Sequence, residues 1–310
     1  MKNTDMSRLE GKSDVGLAVN NSDFLTRVMT FIMLCAGGTF FFVIVFFMIM
    51  SAAPALFGSS RVSLVEFLFL KPWMPWSNPP VLGILHAWLS TMMIAGIALV
   101  IAFPLGLGLA LFLSELAPRP VEAVVRPCLD LLAGIPSVVY GFFGFVTLVP
   151  SFENWFAMPI GTCVGAAGII LAIMILPFIA SMATDALRAV PAEQREAGLN
   201  LGVTRPYMVR RILLTAAAPG IFAAAGLGLA RAMGETLAVL MLAGNAVMVP
   251  SGFFSLGQPI TALLATELGE AEVGSVKYHT LFLAGMFLLF LVAALNALIW
   301  KFRKRFSHVN

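Results

Sequence analysis

EAGLNLGVTRPYMVRRILL, residues 196–214, is a polar, arginine-bearing stretch inside a chain that is otherwise almost continuously apolar. Pro191 suits a first helical turn, Gly202 a C-terminal cap, Thr204 the N-cap of a second short helix, and Pro206 that helix's first turn. Two short helices with a bend are therefore expected. On the first, Glu193, Glu196, Ala197 and Asn200 share a face at helical spacing, and no wide apolar stripe faces lipid. The small residues Ala197, Gly198 and Gly202 leave room for a partner surface to approach closely. A soluble protein is expected to dock there.

The surrounding chain is membrane. Of 310 residues 60% are apolar and only 11% charged, and the mean hydropathy is +0.95, outside the range of soluble domains. A crossing needs about 20 apolar helical residues. Six segments meet that, at roughly 28–50, 84–114, 128–150, 161–184, 213–245 and 279–300, with Pro104 and Pro219 as kink sites. The fold class is thus an all-α integral membrane protein. Its expected parts are an N-terminal arm 1–27, a six-span domain 28–300 that includes a coupling loop 187–212, and a basic tail 301–310. The polar residues before the first span and the length of that span argue against a cleaved signal peptide.

Basic residues orient the bundle. Fifteen of the nineteen Lys and Arg fall in the arm, the 115–127 loop, the 187–212 loop and the tail. The opposite loops hold only Arg61, Lys71 and Lys277. The positive-inside rule then places both termini and the coupling loop in the cytoplasm. The outer loop KPWMPWSNPP, 71–80, suits the interface with two tryptophan anchors. Such a charge balance points to membrane lipid rather than nucleic acid as the partner. Cys35, Cys128 and Cys163 have no metal or redox spacing and read as small core residues.

No catalytic apparatus is present. GKS at 11–13 has Met6 where a P-loop needs glycine, and His86, His279 and His308 are scattered. GLGLA occurs at 106–110 and again at 226–230, which reads as close helix packing. Arg231 and Glu235 are the exceptional pair. Placed at i, i+4 within the fifth apolar segment, they can pair along one helix. An arginine at mid-bilayer costs about 2.5–3.5 kcal/mol on insertion scales, so it faces a bundle interior or an aqueous pathway. There two readings stand: an internal ion pair that only locks helix packing, or a pathway in which Arg231 offers a guanidinium to a passing oxyanion and Glu235 tempers its attraction.

The 196–214 stretch resembles the coupling motif of bacterial ABC-importer permeases, Glu-Ala-Ala, three residues, Gly, nine residues, Ile, one residue, Leu-Pro. Glu196, Ala197, Gly202, Ile212 and Leu214 keep that spacing, whereas Gly198 replaces the second alanine and Thr215 the proline. GIPSVVYGFFG (134–144), GLARAMGETLAVLMLAGN (228–245) and PITALLATELGEAE (259–272) resemble the phosphate-specific permeases, closer to the PstC type than the PstA type. The resemblance implies a bacterial inner-membrane subunit that imports inorganic phosphate by alternating access. It also implies a second, PstA-type permease, a PstB-type ATPase dimer that uses ATP and magnesium, and an extracytoplasmic PstS-type phosphate-binding protein, with no cofactor bound by this chain. Glu267, Glu270 and Glu272 are candidates for contact with that binding protein. Rival readings are molybdate or tungstate as cargo, an ion-coupled carrier, and a non-transporting sensor.

Overall fold

The computed structural model describes residues 6–58, 62–194, 196 and 202–307. The chain falls into two compact units, one up to Ser51 and one from Ala52 onward. The first consists of most of helix α1 (Met6–Phe57), which continues through the expected N-terminal arm. The apolar part of that helix begins at Phe24 and is long enough to cross a membrane.

The second unit is built on α2 (Leu85–Leu111) and α6 (Val164–Arg188), which pack along their length. Small residues make the close approach possible: Ala98, Ala102 and Ala110 of α2 and Ala167 and Gly168 of α6 are buried. A Cβ on Gly106 of α2 would lie 3.0 Å from Ile179 of α6, and one on Gly228 of α8 (Leu214–Met233) 2.8 Å from the same side chain. The repeated GLGLA is thus the place where α2 and α8 both close on Ile179. The buried hydroxyls cost little, because Ser90, Thr91, Thr184 and Thr280 each bond a carbonyl one turn back.

Two expected spans are broken. The segment expected at 128–150 is a bent pair, α3 (Arg119–Gly134) and the run α4 (Ser137–Phe143) to α5 (Val149–Phe156), turned by 91°. Pro136 explains the corner: it holds the preceding Ile135 in extended backbone, ψ 130°, and so ends α3. The segment expected at 213–245 begins earlier, because α7 (Arg205–Met208) runs through a π-turn, Val209–Leu213, into α8, and it stops at Met233. A short α9 (Leu237–Leu242) follows, then α10 (Ile260–Glu267) and α11 (Val276–Ser307). Among the described residues, five helices can cross a membrane by length and composition, or six with the bent pair as one.

Two further expectations change. Trp73 of the 71–80 loop is 1% exposed in a hairpin of β1 (Trp73–Met74) and β2 (Val81–Leu82), which leaves Trp76 as the only exposed ring of the two. Of the cysteines only Cys163 is buried, while Cys35 and Cys128 are exposed on apolar helices.

Candidate coupling and translocation sites

The arginine-rich end follows the expected plan where it is described. Pro191 opens a helical turn and Glu196 is exposed on it; Ala197 and Gly198 lie outside the described residues. Gly202 has φ +71°, the left-handed geometry of a helix C-cap. A Cβ there would meet nothing within 4 Å, so the demand for glycine comes from the backbone and leaves the space above it free for a partner. Thr204 stands at the N-cap of α7 in extended backbone and accepts from Met208 N–H through its carbonyl, but its hydroxyl makes no capping bond. Ile212 and Leu214 are half-buried, and Leu213 between them is fully buried with Ala110, Ala183 and Leu187. That anchor was not singled out from the sequence. Beyond it Pro206, Tyr207, Arg210 and Arg211 line an open cavity of 620 Å³.

Two basic residues counted only as orientation signals are also structural. Arg188 closes on Glu122 of α3 at 2.7 Å and donates to the Leu113 carbonyl at 3.0 Å, while Arg126 of α3 pairs with Asp185 of α6 at 2.7 Å. These contacts tie the corner helix α3 to the ends of α2 and α6. Being half-exposed and screened by solvent, they contribute only modestly to stability.

The second site lies at the end of α8. Arg231 is exposed in the isolated chain, with its guanidinium 6.0 Å from the Phe178 ring centroid on α6. Phe178 stands ten residues before Arg188, the end of α6, which is about 15 Å along a helix axis and half of a hydrocarbon core about 30 Å thick. Arg231 is therefore at mid-depth, and α8 ends two residues later. The expected i, i+4 pair does not form: the helix stops before Glu235, and the described residues show no ion pair between the two. Glu235 acts instead as a joint. Its Oε1 accepts from Ala238 N–H at 3.4 Å at the start of α9, and its carbonyl accepts from the Thr261 hydroxyl of α10 at 2.7 Å.

The three stretches that carry the phosphate-permease resemblance meet at this break. A Cβ on Gly141 of α4 would lie 2.9 Å from the Ala238 backbone of α9, and one on Gly144 would meet Ile170 and Leu242. Thr261 joins α10 to the same point. Irregular backbone at membrane depth is tolerated only where protein buries it or it lines a cavity, and broken helices of this kind hold substrate sites in transporters.

A bundle of apolar helices with a polar helix–turn–helix at one end and a helix broken at mid-depth defines an importer permease. Residues 102–305 match the family of binding-protein-dependent transport system inner membrane components, and the chain belongs to that family as an ABC importer permease subunit. Among relatives, it is 38% identical over 228 residues to the probable ABC transporter permease protein YqgH of Bacillus subtilis, covering 74% of each chain. It is 34% identical to the phosphate transport system permease protein PstC of Haemophilus influenzae, covering 67% of this chain and 71% of the relative. The fold matches a solved bacterial alginate ABC transporter with a TM-score of 0.63 at 16% identity, over 92% of this chain and 98% of the other. It also matches the MetNI methionine ABC transporter, with a TM-score of 0.54 at 21% identity, over 72% and 94%.

Proposed function

We propose that this chain is the PstC-type permease of an ATP-driven importer of inorganic phosphate, and that Arg231 lies on the anion's path. The observation that carries the reading is the end of α8 at mid-depth beside an exposed guanidinium with no carboxylate paired to it among the described residues. A phosphate needs a donor fork of that kind, and alternating access needs a discontinuity that both sides can reach in turn. The relatives named for phosphate transport support the cargo. Glu235 orders the break rather than neutralising Arg231.

In this reading a PstA-type permease completes the pathway, covering faces exposed in the isolated chain. A PstB-type ATPase dimer docks on Glu196–Leu214 and supplies the ATP and magnesium chemistry, and a PstS-type protein delivers phosphate from outside. Both termini and the coupling stretch are cytoplasmic in the bacterial inner membrane, from the charge asymmetry. The test is copurification with the ATPase followed by uptake of labelled phosphate into vesicles. ATP-dependent uptake that unlabelled molybdate or tungstate does not suppress supports the reading. Uptake driven by an ion gradient without ATP, or suppressed equally by molybdate, overturns it.

A further inference from the structure

The start of α10 is fastened to α2 at three points within four residues. A Cβ on Gly257 would lie 2.9 Å from Ser90 Oγ, Gln258 Oε1 meets the buried His86 ring at 3.3 Å, and Thr91 Oγ1 accepts from Ile260 N–H at 3.0 Å. The last of these satisfies an amide at the helix start, where Pro259 supplies no side-chain cap. Thr261, next in line and buried, reaches the other way. Ser90, Thr91, Thr184 and Thr280 turn their hydroxyls back on their own helices, but Thr261 donates to the Glu235 carbonyl, 26 residues away in sequence, at 2.7 Å. Glu235 closes the last turn of α8: its N–H bonds the Ala232 carbonyl at 3.3 Å, and the Gly234 N–H bonds the Arg231 carbonyl at 3.2 Å. Beyond that turn the Glu235 carbonyl has left the helix, and at membrane depth a carbonyl must find its partner within the protein.

We infer that Thr261 is a positioning residue for Arg231, holding the turn that carries the guanidinium at a fixed place against α2. The line runs from the Thr91 hydroxyl through Ile260 and Thr261 to Glu235, one turn past Arg231, and every step is a hydrogen bond or an adjacent peptide. Because α2 belongs to the frame of the second unit, the broken end of α8 is held to that frame although no helix crosses the break. A donor fork gains from an anion by direction as well as by charge, and a small displacement of the fork loses much of that gain. The role rests on the reading that Arg231 lies on the anion's path, and it names what sets that residue's place.

Uptake of labelled phosphate into vesicles, read as the maximal rate per assembled complex, tests the role. Thr261→Val keeps the size and branching of the side chain and removes the donor, so the rate is expected to fall on the order of tenfold. Thr261→Ser restores the hydroxyl and is expected to recover most of that loss. In the Arg231→Gln background Thr261→Val is expected to cost nothing further, because a residue that acts through Arg231 has nothing left to position. A residue that only holds the fold would instead lower complex yield and add its own loss to that of Arg231→Gln. Should Thr261→Val fail to assemble, Thr91→Val removes the acceptor for Ile260 one step earlier and is expected to show the same pattern at smaller amplitude. Normal uptake per complex in the valine variant that assembles, or losses that multiply in the double variant, overturns the positioning role and leaves the transport reading standing. Normal uptake in Arg231→Gln alone removes that reading and this role with it, and it is read in its own arm.

Discussion

Helix α6 and the segment from Leu213 to Leu242 read alike in sequence, as long apolar runs with one internal proline, yet they fold differently. Val164–Arg188 is continuous through Pro177 and its most apolar window is 72% buried; Arg205–Met233 passes Pro219, has a window 33% buried, and then breaks without a proline. Gly234, Glu235 and Thr236 make the difference. Glycine weakens the helix, and the carboxylate restarts it by accepting from Ala238 N–H. Buried α6 is the frame, and the broken segment beside it carries the exposed charge.

The largest expected effect sharpens that division. Arg231→Gln is expected to lower phosphate uptake per assembled complex at least tenfold, the loss of one charge-assisted bond to the anion. Complex yield should hold, since Arg231 is exposed in this chain and its nearest aromatic contact is 6.0 Å away. Glu235→Gln keeps an acceptor for Ala238 and should cost far less. With no ion pair to break, the double variant should not recover what Arg231→Gln loses. Recovery would restore the pair and overturn the joint assigned to Glu235.

Gly202→Trp comes next and acts at the other end. A non-glycine residue at φ +71° costs about 1–2 kcal/mol, and the indole would fill the open space above the bend. Membrane insertion should survive while ATPase association and uptake fall together. Normal uptake in this variant would remove the coupling assignment.

A smaller effect tests the frame itself. Gly228→Leu drives a side chain into Ile179 and should destabilise by about 1–3 kcal/mol, read as a lower melting temperature of the purified chain. Gly108→Ala, two residues past Gly106 in the same repeated motif, adds a Cβ that meets nothing within 4 Å and should not lower that temperature. Equal melting temperatures would mean that α8 does not close on α6 as described.

Much of this was legible in advance. Apolar length marked Leu85–Leu116, Val164–Arg188 and Val276–Lys301 to within a few residues, because hydrophobic run length is a local property. The capping pattern of 191–206 was legible for the same reason where it is described, through Pro191, Gly202 and Pro206. The two breaks were not, because hydropathy averages over a Gly-Ile-Pro or a Gly-Glu-Thr without registering lost helical bonds. Spacing alone paired Arg231 with Glu235, and only the helix end at Met233 separates them. Long-range partners such as Glu122 for Arg188 leave no periodic trace. The buried Trp73 shows the same limit, since an aromatic among prolines reads as an interfacial anchor until its neighbours are known.

The least perturbing measurement fixes which end of this frame faces outward, on which both sites depend. Native thiols must first be sorted by reactivity. Cys35 and Cys128 are exposed and would label, so they are replaced by serine. Cys163 can stay: it is buried, its Sγ accepts from Ala166 N–H at 3.3 Å, and burial pushes its thiol pKa up, so little reactive thiolate forms at neutral pH. Ser77 is a poor probe position because its hydroxyl bonds the Met74 and Pro79 carbonyls in the hairpin turn. Trp76, 75% exposed, and Val273, 80% exposed, suit the hairpin end, and Tyr207, 53% exposed, suits the arginine-rich end. In intact cells a membrane-impermeant maleimide should modify Trp76→Cys and Val273→Cys but reach Tyr207→Cys only after permeabilisation. The reverse pattern would invert the topology, placing the arginine-rich end outside and removing it as a docking site for a cytoplasmic ATPase.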